Sequence, residues 1–176
     1  TEQYQKIENG LWEKMGLEKS RHLVVSGDDY GWEQEVTEAE CKCAKEIKEF
    51  YYRCGAECCL TYVLGMTDIH MDNVIAHGKY PVIIDTEFMF DRRIEAGIQG
   101  KNLQQNLMDT VMHTGFVPNG MGTMHVNVSV LNTCDEQRLS VKMPMVINKG
   151  TSEMNISYHY PKLSHKKNML IYEGNI

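Results

Sequence analysis

The stretch from residue 38 to residue 85 constrains the fold more than any other part of the chain. Ala39, Cys43, Ile47, Phe50, Cys54, Cys58 and Tyr62 recur at three- and four-residue steps. That period predicts a helix over 38–64 with one apolar stripe laid against a core. Gly65 follows at the position where glycine commonly ends a helix. A polar, loop-like segment TDIHMDN comes next, then two short apolar runs, Val74–His77 and Val82–Asp85, separated by Gly78-Lys79-Tyr80-Pro81. The second run is β-branched and almost wholly apolar, which reads as a strand buried on both faces. A long helix feeding an antiparallel hairpin through a polar loop places the chain in the α+β class.

Residues 2–18 carry Ile7, Leu11, Met15 and Leu17 at roughly helical spacing. His22–Ser26 reads as a short strand, Gly27-Asp28-Asp29 as a turn, and Tyr30-Gly31-Trp32 follows. Residues 101–116 read as helical, Gly120 and Gly122 mark a loop, and residues 124–131 alternate apolar and polar as a half-buried strand does. The last 30 residues give no assignable pattern.

Composition removes several classes of function. A length of 176 residues with 42% hydrophobic content fits one domain with a sizeable core. Lys plus Arg number 18 against 24 Asp plus Glu, a net charge of −6. No basic block interrupts that balance, so nucleic acid is not an expected partner. No apolar run reaches the roughly 18 residues of a transmembrane span, and the N-terminus lacks the pattern of a signal peptide. The cysteines, Cys41, Cys43, Cys54, Cys58, Cys59 and Cys134, show no CxxC spacing, so no zinc site is expected here. They read as reduced thiols acting as small apolar residues, which suits a cytoplasmic location. The ends, helical in character at the start and without a closing element at Asn175-Ile176, suggest a piece of a longer protein.

Between residues 68 and 87 the sequence carries chemistry. Asp68 precedes Asn73 by five, Asn73 precedes Asp85 by twelve, and Glu87 follows Asp85 by two. The first spacing is that of a protein-kinase catalytic loop, in which the Asp handles the hydroxyl proton and the Asn holds a metal ion. The second has a geometric reason: a hairpin returns the chain to its starting end, which brings Asp85 beside Asn73. Both offer oxygen ligands, and Mg²⁺ commonly joins one or two carboxylates to substrate phosphates. If the strand continues past Asp85, Glu87 shares its face, and two such carboxylates repel unless a cation lies between them. A lone D-x-x-x-x-N is common turn chemistry; the helix before it and the apolar hairpin within it make this set specific. His70 fits either a catalytic or a loop-bracing role, and Asp72 is assigned to solvent. No glycine-rich G-x-G-x-x-G loop, no V-A-I-K lysine and no Phe-Gly after Asp85 is present, so the nucleotide-covering lobe lies elsewhere or is built differently.

At these residues the chain resembles the dehydratase region of class II lanthipeptide synthetases. Tyr51-Tyr52-Arg53-Cys54-Gly55 matches the family's Tyr-x-Arg-x-Gly helix. Asp68, His70 and Asn73 match its Asp-x-His-x-x-Asn, and Ile84-Asp85-Thr86-Glu87 the end of its apolar hairpin. Asp29-Tyr30-Gly31-Trp32-Glu33 is similar to its Tyr-Gly-Trp segment. Downstream, Asp109-Thr110-Val111 and Thr114-Gly115-Phe116-Val117-Pro118 resemble a further stretch, with Thr151-Ser152-Glu153-Met154 a weaker match. The likeness covers about residues 28–160 and is most specific over 50–90.

The resemblance implies a protein- or lipid-kinase-like fold, here mainly the catalytic, C-lobe-like part with a metal-binding β-hairpin. It implies phosphorylation of Ser and Thr in a ribosomally made precursor peptide with ATP and Mg²⁺, followed by phosphate elimination to dehydroamino acids. In that scheme Asp68 and His70 are catalytic, while Asn73, Asp85 and Glu87 hold metal and nucleotide. The rest of such a synthetase, including its zinc cyclase domain, would be a partner outside residues 1–176. The family's phosphate-binding lysine is not recognisable upstream, and its elimination Arg and Thr are expected beyond this stretch. Two alternatives remain open: a small-substrate phosphotransferase with a similar metal loop, and a non-catalytic peptide-binding fragment.

Overall fold

The computed structural model describes residues 2–20, 22–90, 110–118, 126–132, 136–164 and 167–173. They form an α+β arrangement in which the elements run α1 (Glu2–Lys14), β1 (Val24–Ser26), β2 (Gly31–Glu33), α2 (Ala44–Val63), β3 (Val74–His77), β4 (Tyr80–Ile83), β5 (Glu136–Arg138), β6 (Met143–Ile147), β7 (Asn155–His159) and β8 (Lys162–Ser164). The strands pair antiparallel as β1–β2, β3–β4, β5–β8 and β6–β7. None of the described helices is long and apolar enough to cross a membrane.

α2 is the central element, and its apolar face carries Phe50, Cys54 and Leu60 into the core. It starts later than the periodicity suggests. Cys43 is extended at φ −161°, and Ala39 is bound to the hairpin instead: its N–H donates to the Ala76 carbonyl at 3.1 Å and its carbonyl accepts from Gly78 N at 2.9 Å. The helix ends where Gly65 was expected to end it. Gly65, at φ +60°, donates to the Tyr62 carbonyl at 3.1 Å, and Met66 N donates to the Thr61 carbonyl at 2.8 Å. This is the paired reverse bonding of a Schellman cap, which satisfies the last carbonyls and turns the chain into the next loop.

The buried face of α2 also carries charge, which hydropathy periodicity does not anticipate. Arg53 and Glu57 are fully buried, whereas Tyr62 is exposed. The Arg53 guanidinium lies between the rings of Trp12 (4.8 Å) and Tyr80 (4.6 Å), so it joins α1, α2 and the hairpin. It donates to Glu49 Oε1 at 2.8 Å and to the Glu18 carbonyl at 2.8 Å. Glu57 accepts from the Tyr4 hydroxyl. Burial, reinforced by repulsion from Glu8, pushes the Glu57 carboxyl well above the usual carboxylate range. α1 therefore buries Tyr4, Glu8 and Trp12, one residue out of step with the Ile7-based stripe, and Ile7 itself is exposed.

The β3–β4 hairpin forms as the sequence suggests, with Val74 opposite Ile83 and His77 opposite Tyr80. Gly78, at φ +58°, takes the first of the two turn positions, where such a turn favours glycine. Pro81 sits opposite Ala76, whose N–H donates to the Lys167 carbonyl at 2.6 Å and whose carbonyl accepts from Ala39. Both groups of Ala76 face away from β4, so the missing proline N–H costs the ladder nothing.

Other expectations are corrected. Of the proposed 101–116 helix, residues 101–109 lie outside the described residues, and Val111–Thr114 is a single 3₁₀ turn. In the proposed strand over 124–131, residues 126–128 are irregular and Ser129 makes only an isolated bridge with His70. The unassigned C-terminal stretch forms the β6–β7 hairpin, both strands of which are mostly solvent-exposed. Cys41 and Cys54 are buried, with thiols pushed up by burial to about 11 and about 12, whereas Cys43 and Cys59 are exposed. The described cysteines are unpaired.

Candidate functional site

The Schellman cap delivers the chain into an extended loop whose side chains alternate. Ile69 and Met71 are buried, while Asp68 and Asp72 are exposed and His70 is half-buried. The buried pair anchors the loop, so Asp68, His70 and Asp72 are presented outward together. Backbone bonds hold it on both sides: Ile69 N donates to the Thr114 carbonyl at 2.9 Å, and Met71 N to the Val128 carbonyl at 2.9 Å.

Asp68 has φ +63°, a left-handed conformation that a non-glycine residue adopts at a cost. Asn73 holds it there, since its Nδ2 donates to the Asp68 carbonyl at 3.0 Å. Asn73 N also donates to the His70 carbonyl at 2.9 Å. The imidazole is oriented in the same way. Its Nδ1 accepts from Asp72 N at 3.2 Å, so the ring proton lies on Nε2, which faces Asp68 Oδ1 at 3.7 Å. Asp68, His70 and Asn73 are thus one connected unit.

The hairpin then brings back the distal carboxylates. Ile84 N donates to the Asn73 carbonyl at 3.0 Å, carrying the β3–β4 pairing one residue beyond β4 and placing Asp85 at the Asn73 end of the hairpin. With its amide nitrogen engaged by Asp68, Asn73 has its Oδ1 as the atom to offer a cation. Asp85 is exposed and its Oδ1 accepts a long hydrogen bond, 3.4 Å, from Glu87 N. An amide oxygen and a carboxylate suit Mg²⁺, which needs few protein ligands when phosphates and waters complete its shell. Among the described residues no three His, Cys, Asp or Glu side chains cluster as a metal site would require by themselves.

Glu87 does not reach its place by strand continuation. β4 ends at Ile83 and residues 87–90 form a turn, so the same-face argument loses its premise. Exposure still alternates, with buried Thr86 between exposed Asp85 and Glu87.

One supporting element lay beyond spacing arguments. Thr114-Gly115-Phe116 braces the loop: Thr114 receives the Ile69 N–H, and Phe116 is fully buried beneath. Gly115 has φ +86°, and a Cβ there would lie 2.5 Å from the Ile69 carbonyl oxygen. Only glycine permits that approach. The signal in the sequence was the family likeness of these residues.

A family described as a domain of unknown function, DUF4135, matches residues 2–176. The chain belongs to this family. The lacticin 481/lactococcin biosynthesis protein LcnDR2 of Lactococcus lactis subsp. lactis is 34% identical to it over 94 residues. That match covers 51% of this chain and 10% of the relative, so the chain matches about a tenth of that curated protein's length. With the DUF4135 match, this bears out the resemblance to class II lanthipeptide synthetases read from residues 28–160.

Proposed function

We propose that this DUF4135 chain supplies the metal-and-phosphate part of a lanthipeptide dehydratase of kinase-like fold. That enzyme phosphorylates Ser and Thr of a ribosomally made precursor peptide with ATP and Mg²⁺, then eliminates the phosphate. The observation that carries the reading is the connected Asp68–His70–Asn73 loop with Asp85 delivered to its edge by the hairpin. The relative named for lacticin 481/lactococcin biosynthesis supports the peptide class of substrate.

The roles follow from placement. Phosphoryl transfer depends on positioning and charge neutralisation more than on covalent chemistry. Asp68, exposed and fixed in a strained conformation, orients the substrate hydroxyl and accepts its proton. His70, whose Nε2 faces Asp68 Oδ1, steadies the Asp68 carboxylate and would offer an N–H donor to a departing phosphate. Asn73 Oδ1 and Asp85 would hold Mg²⁺, with Glu87 adding negative charge at the same edge. The bound ion would neutralise the phosphate oxygens.

The test is mass spectrometry of the precursor peptide incubated with a synthetase containing this chain, because phosphate addition and net water loss are distinct mass changes. Asp85→Ala is expected to abolish phosphorylation. Asp68→Ala is expected to slow the chemical step by about 10²–10⁴-fold while leaving ATP binding nearly unchanged. An Asp85→Ala enzyme that dehydrates its peptide at the normal rate refutes the assignment.

A further inference from the structure

The β1–β2 ribbon has two unlike faces. On one, Ser26 meets Glu2 of α1, Glu33 Oε1 lies 3.6 Å from His22 Nε2, and the Gln5 side chain donates to the His22 carbonyl at 2.6 Å to hold ribbon and helix together. The other face carries Val25 directly opposite Trp32. Leu23 lies two residues before Val25, and its pairing with Gln34 extends the ladder: Gln34 N donates to the Leu23 carbonyl at 2.8 Å. Tyr30 folds back over Gly27, where a Cβ would lie 2.7 Å from the tyrosine ring. By strand alternation these four large side chains share one face. They are 67% (Leu23), 57% (Val25), 67% (Tyr30) and 73% (Trp32) exposed, so the face is open rather than grazed by solvent. Contiguous apolar surface of this kind marks an interaction site.

The charge around it selects the occupant. From Leu23 to Cys41 the chain has six carboxylates and no Lys or Arg. Asp28 and Asp29 stand exposed at the ribbon tip, so carboxylates border the apolar face where Tyr30 lies. A second copy of this chain would bring the same acidic rim against itself, and anionic lipid would be repelled. A cationic peptide is attracted by the carboxylates, and its Lys or Arg groups gain further from the faces of Trp32 and Tyr30.

We infer that the Leu23–Val25–Tyr30–Trp32 face docks a basic peptide segment whose apolar side chains alternate with Lys or Arg. The surface shares no residue with the Asp68–Asn73 site, so the inference stands or falls independently of the dehydratase reading.

The experiment uses the full chain and a short Lys/Leu-alternating peptide, with its Glu/Leu counterpart as control. Trp12 is buried at 1% exposure, so acrylamide quenching of tryptophan emission reports Trp32. The Lys/Leu peptide is expected to shield Trp32 and to bind less tightly as salt rises. In anisotropy titrations with labelled peptide, Trp32→Ala should weaken binding about tenfold or more, the loss typical of an interfacial tryptophan. Asp28→Asn/Asp29→Asn should weaken it several-fold at low salt and flatten the salt dependence, while Glu153→Gln on the β6–β7 turn changes nothing. Circular dichroism of each variant should match the parent, since every altered side chain is exposed. Equal binding of the Glu/Leu peptide overturns the inference, as does unchanged affinity in the ribbon variants. Shielding of Trp32 by protein concentration alone would assign the face to a second copy and equally overturn it.

Discussion

Gly115→Ala tests whether the Thr114–Phe116 segment braces the Asp68–Asn73 loop. The new methyl group meets two penalties. Gly115 has φ +86°, and an L-residue in a left-handed conformation costs about 1–2 kcal/mol. The Cβ would also lie 2.5 Å from the Ile69 oxygen and 3.2 Å from its carbonyl carbon. Those are backbone atoms, so relief requires moving Ile69, whose N–H is bonded to the Thr114 carbonyl at 2.9 Å. Overpacking of this kind costs about 1–3 kcal/mol. The sum is about 2–5 kcal/mol of stability, read as the shift in a urea unfolding curve at unchanged slope. Because the displaced backbone adjoins Asp68 and His70, phosphorylation by the synthetase is expected to fall by more than the loss of folded protein accounts for. A Gly115→Ala protein within about 0.5 kcal/mol of the parent and equally active refutes the bracing argument.

Two further outcomes follow from buried groups. Burial and then Glu8 raise the Glu57 carboxyl well above its ordinary 4.5, so the stability tied to its protonated form is complete below about that pH and is lost as pH rises through the folded value. Glu57→Gln, which keeps an acceptor for the Tyr4 hydroxyl, should flatten unfolding free energy against pH above that point; an unchanged slope refutes the assignment. In native protein a thiol reagent should label Cys43 and Cys59 first and Cys41 and Cys54 slowest, because burial raises the latter thiols to about 11 and about 12. Fast labelling of Cys54 would contradict its place in the core.

α2, its glycine stop and the β3–β4 hairpin were readable because apolar period, Schellman glycine and turn chemistry agree there. The buried face of α1 was not, because Glu8 sits among the inward positions and hydropathy favours Ile7. Arg53 and Glu57 were invisible as buried groups for the same reason: ring stacking and hydrogen bonding satisfy them, and a periodicity reading counts them as polar. The start of α2 was placed too early because Ala39 fits the helical period yet pairs with the hairpin, a contact set by residues far along the chain. The order Asp68, His70, Asn73, Asp85 was legible from spacing and hairpin return. The brace at Gly115 depends on a close approach between distant backbones, which spacing does not encode. Glu87 was placed by assuming a strand that ends at Ile83.

The proposal that Asn73 and Asp85 hold the phosphate-bound metal is tested most directly by the Mg²⁺ dependence of precursor phosphorylation, followed by mass spectrometry at saturating ATP. With Asn73→Ala the Mg²⁺ concentration for half-maximal rate should rise about tenfold or more, because one oxygen ligand is lost, and the rate at saturating Mg²⁺ should fall as well, because the Nδ2 bond that holds the Asp68 backbone goes with it. With Asp85→Ala no Mg²⁺ concentration should restore the rate. Mg²⁺ curves that superimpose for the parent, Asn73→Ala and Asp85→Ala would contradict the account.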